Sequence, residues 1–247
     1  MTRWVSRLIA ANIVVFLLTS AQPHLGNLLA FSAADFMTRP WSAFTYMFVH
    51  DGLWHIAFNM LTLYFFGPRV EQRLGSAHFL SLYLVSGLGG AALSFLTPHD
   101  DIVGASGAVF GVLMAFAHYW PRERIMIWGV IPVEARVMVL LTTGYALLGG
   151  ISHGAIGNGI AHYAHLGGYG AAFLYLAWLD RYSPAREFRK RVDTALYGGQ
   201  TGGVTRVLSG PPEPRWDAIP REGLHPLNLE ELDRLQAKVQ EHGMASL

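Results

Sequence analysis

The chain has 247 residues, 52% of them hydrophobic and 14% charged, with a net charge of +1. Soluble domains carry about 25% charged residues, so this balance points to a surface that faces lipid, and the near-neutral charge argues against a nucleic-acid partner. There is no cysteine, which excludes disulfides, thiolate nucleophiles and cysteine-based metal sites.

Six apolar segments follow one another near residues 7–22, 50–67, 77–96, 105–120, 136–152 and 160–179. A membrane-spanning helix needs about 20 residues; the fourth and fifth segments are short, which tilt or burial inside a bundle accommodates. The predicted fold is all-α and polytopic, a six-transmembrane-helix bundle over residues 1–183. The first segment begins with Arg3 and Arg7, as a signal peptide would, but the later spans favour a retained helix. Residues 23–43 form a long loop that is too apolar for a solvated linker. Trp41 and its Phe neighbours assign it to the membrane interface. Arg69 and Arg73 follow the second segment, Arg122, Arg124 and Arg136 lie between the fourth and fifth, and Arg181 to Arg191 follow the sixth. Arg39 stands on the opposite side. This asymmetry predicts that both termini are cytoplasmic. Residues 184–223 are rich in Gly and Pro and read as a flexible linker. In 224–247, Leu229, Leu232, Leu235 and Val239 recur at helical spacing, which predicts a short amphipathic tail helix stopped at Gly243.

Polar groups inside a bilayer are costly and mark candidate sites. In "HDGLWHIAFNM", His55 and Asn59 share a helix face and His50 stands at the entrance; hydrogen bonding between helices and chemistry both fit this pattern. In "VGASGAVFGV", Ser106 opens the fourth segment, where free backbone N–H groups favour negative charge. Its neighbours Gly104 and Gly107 equally suit close helix packing. In "GIAHYAHLGGYGAAF", His162 and His165 are three apart, beside Gly167 and Gly168. They suit a general base, a buried hydrogen-bonded pair, or part of a zinc site that lacks a third ligand. The three clusters together supply a nucleophile, a base and oxyanion donors, the set needed for acyl transfer.

These residues resemble the rhomboid family of intramembrane serine proteases, in its bacterial form, over roughly residues 1–180. Gly104-Ala105-Ser106-Gly107 matches the family's GxSG. His50, His55 and Asn59 match HxxxxHxxxN, and Ala164, His165 and Gly168 match AHxxG. The resemblance implies a serine endopeptidase that cuts in or near transmembrane segments of other membrane proteins. Ser106 would be its nucleophile and His165 its base. His55, Asn59 and the Ser106 N–H would stabilise the oxyanion, and His50, Gly104, Gly107, Gly168 and Phe110 would support the site. Glu71 would be structural. Two positions depart from the family: Ser42 follows Trp41 where an Arg is common, and Phe110 stands where a Tyr is common. No metal and no cofactor are implied, and the partners are transmembrane substrates and the lipid bilayer. The lack of an organelle address favours a bacterial inner membrane. Two other readings compete: a catalytically silent relative that escorts membrane clients, and a His-based metal transporter.

Overall fold

The computed structural model describes residues 1–97, 101–127, 130–151, 162–182, 221 and 226–242. Its long helices are α1 (Arg3–Ala21), α4 (Leu53–Leu74), α5 (Ser76–Leu93), α6 (Ser106–Tyr119), α7 (Ala135–Ile151) and α8 (His162–Arg181), one at each apolar segment of the sequence. Between α1 and α4 lie two short helices, α2 (Pro23–Leu29) and α3 (Ser42–Thr45), the latter continuing as a 3-10 turn, Tyr46–Phe48. Residues 1–178 form one compact unit and residues 179–247 a second. In the second unit the described element is α9 (Pro226–His242), and Arg221 pairs with Asp233 at 2.8 Å. The linker expected at 184–223 falls, apart from Arg221, outside the described residues.

By length and composition, two of the described helical stretches are able to cross a bilayer: Arg3–Ala21, and Ser76–Leu96 with its 3-10 extension. α6 and α7 are apolar but shorter. α4 and α8 carry His55, Asn59, Arg69 to Arg73, His162 and His165, and these polar residues lower their hydropathy. The outward faces are nonetheless apolar: Leu17, Phe65, Leu140, Leu148 and Leu174 are all exposed. A water-soluble bundle turns such residues inward and rarely leaves contiguous apolar surface of this kind.

α6 is the central helix. Ala108, Val112 and Ala115 are inaccessible, and α4, α5 and α7 all pack against it. α8 meets α5 and α6 through small residues. A Cβ on Gly168 would lie 2.1 Å from the Gly107 carbonyl oxygen, and one on Gly167 would lie 2.2 Å from that of Gly89. Only hydrogen in place of a side chain lets these backbones touch, the usual means of close packing between membrane helices.

The start of α1 has no cap from its own Thr2 side chain. Glu71 of α4 serves instead, accepting the N–H groups of Trp4 and Val5 at 3.1 Å and the Ser76 hydroxyl at 2.8 Å. One buried carboxylate thus satisfies donors that open α1 and joins them to the start of α5.

Two segments differ from the sequence reading. The first loop does not lie wholly at an interface: Phe31 is fully buried, as are Tyr46 and Met47 just beyond the loop, while Trp41, Phe44 and Met37 are exposed. The Tyr46 hydroxyl donates to the Gly87 carbonyl at 2.7 Å, and Phe31 exchanges both backbone bonds with Ile102. Burying each such side chain contributes about 1.5–3 kcal/mol, so the loop is part of the core. Arg39 supports it from within, donating to the Asn27 carbonyl at 2.8 Å and pairing with Asp35. The second difference is a hairpin of β1 (Arg124–Ile127) and β2 (Ile131–Glu134) between α6 and α7, antiparallel with Arg124 opposite Glu134. The basic residues concealed its short β-branched runs.

Candidate active site

Gly104 has φ +113°, a conformation that L side chains rarely adopt, and its N–H donates to the Tyr46 carbonyl at 3.0 Å. The chain turns there and enters α6 at Ser106, with Ala105 at the N-cap position. Ser106 therefore sits in the first turn, where backbone N–H groups have no intrahelical acceptor. His165 lies one turn into α8. Its Nε2 is 2.9 Å from the Ser106 oxygen, a normal hydrogen-bond distance across 59 residues of sequence. The Gly107–Gly168 backbone contact brings the two helices together at this level.

Phe110, one turn after Ser106, places its ring edge-to-face on His165, with centroids 4.4 Å apart and planes at 89°. On its other side it stacks with Tyr169 at 5.0 Å. The Tyr169 hydroxyl in turn is 2.6 Å from the Thr142 hydroxyl, linking α8 to α7. The imidazole is thereby held by an aromatic stack with well-defined rotamers.

From the α4 side, a Cβ on Gly104 would come within 2.5 Å of His55 Nε2, so the missing side chain makes room for that ring. Asn59 donates to the His55 carbonyl at 2.9 Å, which directs its amide along the same face of α4. His50 packs edge-on to His55, with centroids 5.0 Å apart, and its Nε2 accepts a long bond of 3.4 Å from the Ala105 N–H. It braces the turn before Ser106. Ser106, His165, His55 and Asn59 all line one cavity of about 590 Å³, whose other walls include Phe58, Leu113, Met138 and Tyr145.

The structure thus gathers the sequence-derived candidates around one cavity or directly against it. His162 stands apart. It is buried under α7, with its ring 5.5 Å from Tyr145 and close against Gly149. The sequence reading missed Asp51, whose carboxylate contacts His55 Nδ1 at 2.5 Å. An acid four residues before a histidine was the available signal. It also missed Tyr169 and Thr142, which meet across two helices and leave no local pattern.

The Rhomboid domain family matches residues 37–182, which include every one of these groups. Among curated proteins, RHOMBOID-like protein 1 of Arabidopsis thaliana is 36% identical over 135 residues, covering 54% of this chain and 33% of its own length. Rhomboid protein 1, mitochondrial, of Saccharomyces cerevisiae is 31% identical over 173 residues, covering 65% and 48%. Rhomboid protease GluP of Bacillus subtilis is 33% identical over 156 residues, covering 63% and 29%. The matches span less than half the length of these relatives. The fold and the match define a helical, polytopic integral membrane protein. The chain belongs to the rhomboid family.

Proposed function

We propose that this protein is an intramembrane serine endopeptidase that cuts peptide bonds in or near transmembrane segments through a Ser106–His165 dyad. The observation that carries this reading is the 2.9 Å contact between Ser106 and His165 at the head of a cavity that His55 and Asn59 also line. A relative named a protease, GluP, supports the reaction class.

The chemistry follows from the groups in contact. The Ser106 hydroxyl donates to His165 Nε2, so the neutral ring carries its proton on Nδ1. As the serine oxygen adds to the substrate carbonyl, Nε2 takes the hydroxyl proton and the carbonyl oxygen gains the negative charge. His55, Asn59 and the Ser106 N–H are the donors for that charge. The imidazolium then protonates the departing amine, leaving an acyl-enzyme. Water attacks the acyl group with His165 again as base. The substrate helix must unwind locally, because a helical carbonyl is already engaged in its backbone ladder. The same reading has all six long helices spanning the bilayer, both termini cytoplasmic and the protein in a bacterial inner membrane.

The test is co-expression with a panel of single-span proteins, comparing wild type with Ser106→Ala. Cleavage products are expected with wild type alone. The variant should fold, since one partly buried hydroxyl is worth only about 1 kcal/mol. Fluorophosphonate labelling at Ser106 separates this reading from a silent client-binding relative. Products that persist in Ser106→Ala would remove the dyad.

A further inference from the structure

The proposed oxyanion donors leave one neighbour without a role. Asp51 lies just before α4, and its carboxylate is 2.5 Å from His55 Nδ1. The other ring nitrogen, Nε2, faces the backbone that leads into Ser106, at the position a Gly104 side chain would fill. Asp51 and His55 both line the cavity that holds Ser106 and His165. The imidazole therefore stands between an acid and the backbone of Gly104, two residues before Ser106.

Hydrogen-bond accounting makes this consequential. An ionised carboxylate only accepts, so Nδ1 carries a proton. In a neutral ring Nε2 would then present a lone pair, which cannot stabilise negative charge. Donation from Nε2 requires the doubly protonated ring, and that ring needs a counter-charge. The groups facing it are His50 at 5.0 Å between centroids, Asp101 on the same cavity wall, His165 across the cavity, and Asp51. His50 uses its Nε2 to accept from Ala105. Asp51 is the carboxylate in contact.

We propose that Asp51 is a positioning residue for the oxyanion site, fixing His55 through Nδ1–H and carrying the charge that lets Nε2–H donate. This rests on the protease reading. When the serine adds, the carbonyl π pair moves to oxygen, and the oxyanion accepts from His55 Nε2–H. No proton is transferred in that contact. The site then holds a row of alternating charge: carboxylate, imidazolium, oxyanion. Charge-assisted hydrogen bonds of this kind are about twice as strong as neutral ones. The Asp51 side chain is 72% exposed and that of His55 30%, so the pair contributes little to stability. Its removal tests chemistry and not folding.

The experiment is Asp51→Asn in the full chain, alone and combined with His55→Ala, assayed on a cleavable transmembrane substrate. Asp51→Asn is expected to lower kcat roughly 10-fold to 100-fold with KM within about twofold. This is less than the 10²-fold to 10³-fold typical of losing a whole oxyanion donor. In the His55→Ala background it should cost no more than about twofold further. Ring ¹⁵N spectra, assigned against His55→Ala, should show His55 doubly protonated in wild type and singly protonated in Asp51→Asn. Unchanged kcat, an equal loss in both backgrounds, or a singly protonated ring in wild type overturns the proposal. The spectra can also be recorded on Ser106→Ala protein. A failure of wild type to cleave therefore counts against the protease reading, while the ring's protonation still decides the role of Asp51.

Discussion

The two histidines of α8 are three residues apart and differ in what they touch. His165 reaches Ser106, while His162 packs against Tyr145 and Gly149. A proton acceptor must come within about 3 Å of its donor, and His165 meets that condition. His165→Ala is expected to lose cleavage and fluorophosphonate labelling as completely as Ser106→Ala. His162→Ala should keep measurable cleavage but unfold more easily, because a buried ring is lost; parallel activity and thermal unfolding measurements check both. Gly104 is the second residue that sets the geometry. Ala at this position would strain a φ of +113° and drive a methyl group into His55. Gly104→Ala should therefore lower kcat by roughly the 10²-fold of a lost oxyanion donor. A wild-type rate in that variant would show that His55 does not need its place beside Gly104. Ser106, His55, Asn59 and His165 were legible in the sequence because polar residues stand out in apolar helices. Asp51 was not, because it precedes its helix and an acid at a helix start has ordinary capping uses.

At the scale of elements, hydrophobic runs marked all six long helices, since a helix that is apolar on most of its faces stands out in the sequence. What the runs could not show was how the ends are fastened. The acceptor for the first N–H groups of α1 comes from Glu71, about 66 residues away in sequence. Glu71→Ala is expected to destabilise the protein by about 1–3 kcal/mol through orphaned buried donors, read as a lower thermal midpoint in detergent. The folded fraction should keep its kcat, because no group of the site contacts Glu71. A drop in kcat with an unchanged midpoint would tie α1 to the chemistry instead. The buried half of the first loop was equally hidden. Phe31 read as an interfacial aromatic, and only its burial and its pairing with Ile102 show it to be core.

At the scale of the molecule, every group assigned to the chemistry lies within the unit of residues 1–178. Removing residues 184–247 should leave cleavage of a transmembrane substrate in detergent within about twofold of wild type, since none of the groups assigned to the chemistry belongs to that stretch. Lost activity in a folded truncated protein would assign the tail a part in turnover. Within the membrane unit, two boundaries of the cavity differ in kind. α6 and α8 meet carbonyl against glycine at Gly107 and Gly168, a contact with no side chain to deform. α7 meets the cavity through Met138, Thr142 and Tyr145, and turns Leu140, Leu141 and Leu148 outward. Bilayer thickness acts on outward-facing apolar helices. On the proposed reading, in which α7 crosses the bilayer, a thinner or thicker membrane would therefore change how wide the cavity opens and how readily a substrate segment enters, while the path of the proton from serine to histidine keeps its length.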